Sequence, residues 1–429
     1  MISVAVILDS LEPAADRLLG LSPLLRLILT TAATRTKEFV VVTSAARFDT
    51  VAALKKDFRV KRLAARVHAC LPGDFPRTPP TQTSRFWLLD GRMVVLPQQW
   101  HRLSQSESNK KMVVPAQSVP YAMAGLAISA WSELGAYLRK NGDQGMNPDL
   151  ISHLCPRPES IETEAAGDSF VLLDSEEKTG LARRLLLASA RKSTDGFIAR
   201  NLNRPMSLAV TRLLINLPLR PVHLSLINLA VAILAAWFVG RAGYVNALLG
   251  GLFFQLNSVL DGCDGENARL TFRGSDAGAR FDEICDILSF VLFFINLPIG
   301  VYADSGDPLH LWAGLGALVS VGVFYVILAR FVHRIGMQGS VVQIVMDIRQ
   351  RGRRGTGLPG LIDRMAAWIA FIYRHDVFAF IFFVGLALGL RSQLLWTLLV
   401  LTMIESLYLQ YYARRRLREA RSGQELSAV

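Results

Sequence analysis

Cysteine is scarce: the 429 residues hold four, Cys70, Cys155, Cys263 and Cys285, scattered and without metal-type pairing. That spacing offers no zinc site, and a cytosolic setting argues against disulfides, so all four are expected to be small apolar packing residues. No basic-aromatic module occurs, so nucleic acid is not an expected partner. No internal repeat is present, which speaks against a transporter built from repeated halves. The start, "MISVAVILDS", lacks the basic residues of a signal peptide and reads as a strand, so the first part is expected to stay in the cytosol. Acidic residues are the minority charge, 35 against 47 Lys and Arg, for a net charge of +12.

Apolar residues are plentiful, at 51% of the chain, and unevenly spread. Up to about Leu187 charges are mixed and apolar runs short; from Pro221 on, long apolar segments alternate with short polar ones. The second half is therefore read as an all-α polytopic membrane domain. Six spans are expected, at about 222–240, 244–262, 283–303, 309–331, 372–390 and 393–412. The fifth is the least clear, because Arg374, His375 and Asp376 stand at its start.

The basic loops orient the spans. One predicted inner loop holds Arg334, Arg349, Arg351, Arg353, Arg354 and Arg364, and the tail reads "RRRLREAR". The predicted outer loops hold Arg241, Arg391 and acidic "ADSGDP". This positive-inside pattern puts the N-terminal part and the tail on the cytoplasmic side, and makes the lipid bilayer and phosphate ligands the favoured partners.

In the first half, "ISVAVILD", "EFVVVTSA", "RFWLLDGRMVV" and "SFVLLDSEE" read as strands, with a helix in "SPLLRLILTTAATR". This order predicts an α/β domain with a largely parallel sheet over residues 1–180, resembling the nucleotidyltransferase-like fold. The loop "LDSLEPAADRLLGLSP" lacks the glycines and the lysine that hold a triphosphate there. Asp90 and Asp174 end strands, where turn residues are common. The domain is expected to be degenerate, with a structural or regulatory role. Residues 181–220, with Arg183, Arg184, Arg191 and Lys192, read as interfacial helices or a linker; 221–415 as the membrane domain; 416–429 as a basic tail.

The chemistry lies in "DGCDGENARLTFRGSDAGARFDEICD", between two apolar segments. Asp261 and Asp264 are three apart at the end of one predicted span; Asp282 and Asp286 are four apart at the start of the next. On helices each pair shares a face, and a hairpin brings the faces together. Four carboxylates at a membrane edge repel one another unless cations sit among them. All-oxygen donors favour Mg2+ or Mn2+, and two ions could bridge a diphosphate. Gly265, Gly274 and Gly278 allow close backbone approach, and Arg269 could hold a phosphate.

Asp261, Asp264, Gly265, Ala268, Arg269, Gly278, Asp282 and Asp286 match D-x2-D-G-x2-A-R-x8-G-x3-D-x3-D at every fixed position. This is the signature of the CDP-alcohol phosphotransferase family, which the chain resembles over about residues 195–415. "STDGFIARNLNRPMS" is similar to the segment before the first span in the branch that handles inositol phosphates, which includes fusions to a cytidylyltransferase-like domain. The resemblance implies that Asp261, Asp264, Asp282 and Asp286 bind metal, that Asp286 is also the general base, and that Asp261, Gly265, Ala268, Arg269, Gly278 and Asp282 bind CDP. It implies transfer from a CDP-alcohol (CDP-diacylglycerol or CDP-inositol) to a hydroxyl acceptor such as inositol phosphate or another polyol, with release of CMP, in phospholipid or phosphodiester biosynthesis. It also implies a homodimer, through spans three and four, where Gly300, Gly314, Gly316 and Gly322 serve either that contact or packing within one chain.

For a phosphorylated acceptor, Arg204, Arg273, Arg330, Arg334 and Arg374 are candidates, and Arg374 in "YRHD" is the foremost. Anchoring at lipid headgroups is the simpler role for Arg330 and Arg334, and for the run from Arg349 to Arg354. His223 and His333 read as interfacial, and Tyr408, Tyr411 and Tyr412 as an aromatic belt. Three rival readings stand beside the transferase. They are a bifunctional cytidylyltransferase and phosphotransferase making a soluble inositol phosphodiester, a cation transporter, and a scaffold that has lost its chemistry. The retained aspartates speak against the last.

Overall fold

The computed structural model describes residues 3–9, 16–34, 36–81, 83–105, 112–114, 123–145, 150, 154, 170–192, 195–335, 350, 357–372 and 374–421. Cys155, residues 10–15 of the loop after the first strand, and Arg349, Arg351, Arg353 and Arg354 lie outside these residues, as does the Arg334 side chain. The chain divides into two compact units. One comprises Met1–Lys192, Arg212–Pro218 and Glu266–Arg273; the other comprises Ser193–Thr211, Leu219–Gly265 and Gly274–Val429.

The first unit is α/β. Its elements are β1 (Ser3–Asp9), α1 (Pro23–Ala32), β2 (Thr36–Thr43), α2 (Phe48–Ala53), α3 (Phe58–Arg62), β3 (Arg66–Cys70), β4 (Arg85–Asp90), β5 (Met93–Val95), α4 (Pro97–Gln105), β6 (Met112–Val114), β7 (Met123–Ala127), α5 (Ala130–Asn141), β8 (Phe170–Leu172) and α6 (Glu176–Ser189). The sheet order is β3-β2-β1-β4-β7-β6. The first four strands are parallel, and β7 runs antiparallel to both β4 and β6. β1 is apolar on both sides, as a central parallel strand must be. Ala5 and Ile7 pack with the leucines of α1, while Val4, Val6 and Leu8 pack with Trp131, Leu134 and Leu138 of α5.

Two strand readings need correction. "RFWLLDGRMVV" is not one strand. Gly91 N–H donates to Leu8 O and Arg92 N–H turns back to Asp90 Oδ1, at 2.8 Å each, so the ladder breaks between β4 and β5. "SFVLLDSEE" does not join the main sheet; β8 pairs antiparallel with β5.

α1 is buried on every side, Arg26 included. Ser22 caps it by accepting from Leu25 N–H, and Pro23 opens its first turn. The Arg26 guanidinium donates to Leu18 O (2.7 Å), Leu19 O (3.0 Å) and Leu270 O (2.9 Å). Arg59 donates to Thr271 O and Arg62 to Phe272 O, at 3.2 and 2.7 Å. Three arginines thus satisfy consecutive carbonyls that a helix C-terminus leaves without partners, at the negative end of its dipole.

The second unit is helical: α7 (Arg204–Leu214), whose last turn belongs to the first unit, then α8 (Pro221–Val239), α9 (Tyr244–Thr271), α10 (Asp276–Ser305), α11 (Leu309–Ile335), α12 (Gly357–Ile372), α13 (His375–Ala387) and α14 (Arg391–Arg421). Among the described residues four helices are long and apolar enough to cross a membrane: Pro221–Val239, Asp276–Ser305, Leu309–His333 and Arg391–Arg418. The other two expected spans fall short for different reasons. α13 has 13 residues, about 20 Å of helix against a hydrocarbon core of about 30 Å. α9 is long enough but carries Gln255, Asn257 and Ser258, which bond inside the bundle. Gln255 donates to Asn203 Oδ1 (3.0 Å), Asn257 to Asn228 Oδ1 (2.9 Å), and Asn203 to Ser258 Oγ (3.0 Å). α12 forms within what the sequence presents as a basic loop.

Phe254, Phe293, Phe378 and Phe382 centre the apolar core. At the other end of α10, Arg391 donates to Asp304 Oδ2 (2.6 Å) and to Val239 O, and Gly300 leaves the space its guanidinium occupies. Gly314 lies against Pro298, and Gly316 faces Leu399 within the same chain, while Gly322 faces open space. Of the three tyrosines expected to form an aromatic belt, Tyr411 is exposed. Tyr412 is buried, and Tyr408 donates to the buried Asp363 at 2.9 Å.

Arg26→Met keeps the volume and takes the guanidinium donors from the carbonyls of Leu18, Leu19 and Leu270, of which Leu18 O keeps the Leu21 N–H. It should lower stability by about 3 kcal/mol, which for a unit of this size is a fall of about 6–12 °C in the unfolding temperature. Thermal unfolding of the purified chain in detergent, followed by circular dichroism, checks this.

Candidate active site

The second unit gathers its acids where α9 and α10 meet. Ser275 caps α10 by accepting from Gly278 N–H at 3.1 Å, which starts the helix that carries Asp282 and Asp286. Ligand-type atoms of Asp261, Asp286 and His375 lie within 4.8 Å of one another, a spacing that could hold a metal ion. Asp286 also feels the charges of Asp261, Asp282 and Asp264. Its Oδ1 is buried and has no hydrogen-bond partner among the described residues, and the same is true of His375 Nε2. Asp264 is buried and otherwise engaged. Its Oδ2 accepts from Ser225 Oγ at 2.7 Å, and its Oδ1 from Gly265 N–H.

Beside Asp261 and His375 is a cavity of about 250 Å3, lined also by Arg204, Arg374, Asp195 and Asp376. Arg204 is held by Asp195 in a two-pronged ion pair, Nε to Oδ2 at 2.8 Å and Nη2 to Oδ1 at 3.0 Å. Arg374 Nε contacts Asp376 Oδ1 at 3.3 Å, and Asp376 Oδ2 accepts from Ala199 N–H at 2.9 Å. Each arginine lies over a glycine. A side chain on Gly262 would strike Arg204, and one on Gly196 would come within 2.8 Å of Arg374.

Of the acceptor candidates, Arg204 and Arg374 line this cavity. Arg330 is exposed on α11 and does not line it. Arg273 belongs to the first unit, as do Ala268 and Arg269; Arg269 Nε donates to Ala190 O at 2.9 Å.

Sequence reasoning missed His375, Asp376, Asp195, Ser225, Gly196 and Gly262. A signal existed for three of them. "RHD" is a cluster of charge at the start of an apolar helix, and Gly262 sits inside the acidic motif. Asp195 pairs with Arg204 nine residues on, and Ser225 with Asp264 on another helix, spacings that no local pattern specifies.

The first unit has its own pair of strand-end carboxylates. Asp9 is buried, accepts from Thr43 Oγ1 at 3.0 Å and pairs with Arg47 at 3.2 Å. Burial raises its pKa, and the nearby Arg47 only partly offsets this. Asp90 pairs with Arg92 at 2.8 Å, and Asp174 with Lys178 at 2.8 Å. Asp9 and Asp90 stand at adjacent strand ends, and each already has an arginine partner.

Asp286→Asn should change stability in opposite directions with and without metal. In EDTA, relief of carboxylate repulsion should raise the unfolding temperature. In Mn2+ at about a hundred times its dissociation constant, wild type should gain about 2.7 kcal/mol and the variant should lose most of that gain. Paired thermal scans of both proteins check the sign.

No family model matches the chain. The chain is 34% identical over 188 residues to "Bifunctional IPC transferase and DIPP synthase" of Thermococcus kodakarensis, covering 43% of this chain and 40% of that protein. The protein of the same name from Aquifex aeolicus is 34% identical over 137 residues (32% of this chain, 31% of that protein). The one from Rubrobacter xylanophilus is 32% identical over 160 residues (37% and 35%). Each match spans less than half the length of the relative. These relatives bear out the resemblance to the inositol-phosphate-like branch of the CDP-alcohol phosphotransferases, with its fused nucleotidyltransferase-like domain.

Proposed function

We propose that the chain is a membrane-embedded transferase that moves a substituted phosphate from a CDP-alcohol to the hydroxyl of a phosphorylated polyol such as inositol phosphate, and releases CMP. The observation that carries this reading is the juxtaposition of Asp261, the first of four aspartates in the motif's eight fixed positions, with a cavity lined by two arginines. One side suits a diphosphate neutralised by cations; the other suits a second phosphate.

Asp261, Asp264, Asp282 and Asp286 would hold Mg2+ or Mn2+. The unpartnered Asp286 Oδ1 and the close approach of Asp261 and Asp286 fit a cation there. Bound ions supply neutralisation of the diphosphate charge as its P–O–P link breaks. Gly265, Ala268, Arg269 and Gly278 would line the CDP site. Asp286 takes the proton of the acceptor hydroxyl. The acceptor oxygen bonds to the β-phosphorus as the bond to the bridging oxygen breaks, and CMP departs with that oxygen. Arg204 and Arg374, held from behind by Asp195 and Asp376, would grip the acceptor's phosphate. In this reading the N-terminal unit and the active site face the cytoplasm, and the chain works as a homodimer.

The test is CMP release by the purified chain. CDP-diacylglycerol and CDP-inositol are offered as donors, each with free and phosphorylated polyols. Metal-dependent release with one pair names both substrates. Asp286→Asn should cut turnover by about 100-fold or more. Arg204→Ala and Arg374→Ala should raise KM for the phosphorylated acceptor at least about tenfold, the scale of one charged hydrogen bond. Equal effects on a free polyol would remove both from phosphate binding.

The relatives' name carries two activities, which favours the bifunctional reading as a second possibility. Against it, Asp9 and Asp90 are each paired with an arginine, and the loop after β1 lacks the glycines and lysine for a triphosphate. The expected result with CTP and inositol phosphate is no pyrophosphate release. Release that Asp9→Asn abolishes would establish the second activity.

A further inference from the structure

His375 is no part of the acidic motif, yet it is the first residue of α13 and faces Asp261, with Nδ1 3.9 Å from Oδ2. That distance is too long for a hydrogen bond. It falls within the span open to two atoms ligating one ion, about 3.0 to 4.3 Å at bond lengths of about 2.1–2.2 Å. The imidazole is fixed from behind. Its centroid lies 4.8 Å from that of Phe290 and 6.2 Å from that of Phe254, on the helices that carry Asp286 and Asp261. The next residue, Asp376, is pinned by Ala199 N–H. His375 Nε2 and Asp286 Oδ1 are both buried and both lack a hydrogen-bond partner among the described residues. One ring nitrogen of the imidazole lies within 4.8 Å of ligand-type oxygens of both Asp261 and Asp286, so the ring can offer a lone pair to a cation between them.

We propose that His375 supplies a nitrogen ligand to the divalent cation held by Asp261 and Asp286, biasing this centre from Mg2+ toward Mn2+. The inference rests on reading the acidic cluster as a cation site. Mg2+ keeps to oxygen donors, whereas a first-row ion accepts a mixed carboxylate and imidazole set.

The experiment is pulsed electron paramagnetic resonance of Mn2+ bound to the full-length chain in detergent. The expected result is a 14N modulation that becomes a 15N pattern in protein labelled with [15N]histidine, and is absent in His375→Gln. The Mn2+ affinity of His375→Gln should fall at least about tenfold, the loss typical of even an outer-shell partner, with Mg2+ affinity unchanged. Bound Mn2+ without a histidine nitrogen signal in wild type would overturn the assignment while leaving the acidic centre intact. Mn2+ affinity indifferent to both Asp261→Asn and Asp286→Asn would remove the centre itself, and this proposal with it. The isotope measurement needs no variant, so a poorly folding substitution does not blunt the test.

Discussion

Like charges confined to a small space set the terms for the second unit. Asp261, Asp264, Asp282 and Asp286 enter from two helices that also pack apolar residues against one another, so the acids cannot separate without opening the core. The surroundings answer this crowding in graded ways. Ser225 and the Gly265 N–H occupy the oxygens of Asp264. Asp286 keeps one oxygen without a partner among the described residues. Arginines stand across the cavity, but each is already held by another carboxylate. Positive charge is near without being spent on the cluster, and a small cation remains the fitting counter-charge.

Three glycines outside the fixed positions of the acidic motif make room for arginines. Gly196 leaves room for the Arg374 guanidinium, and Gly262 for that of Arg204. Gly300 does the same for Arg391 at the far end of α10. A long, hydrated side chain can enter a tightly packed bundle only where a neighbour gives up its own side chain.

The membrane helices and the acidic motif were legible because hydropathy and fixed spacing are local properties. β1, α1 and β2 were legible for the same reason: buried parallel strands are continuous apolar runs. The break after β4 and the pairing of β8 with β5 were not, since both are decided by where Leu8 O and β5 lie in space. α9 and α13 show the limit of the hydropathy argument. A helix whose amides bond to its neighbours can sit in a bundle with modest apolarity, and an apolar helix of 13 residues can pack into the core. His375 was hidden because it matters through Asp261, on another helix, and Asp195 because its partner Arg204 is nine residues on, a spacing that no local motif marks.

The arginine clasp on the end of α9 has a consequence for the order of events in synthesis. Arg26, Arg59 and Arg62 emerge from the ribosome early, but the carbonyls of Leu270, Thr271 and Phe272 are made some two hundred residues later. By then α8 and nearly all of α9 have been made. The first unit therefore cannot finish folding as its own stretch of chain is completed. Its sheet can form, but a guanidinium in its interior must wait for a carbonyl made after a candidate membrane helix. Closure of that late, long-range contact couples maturation of the α/β unit to the making of the helices that follow it.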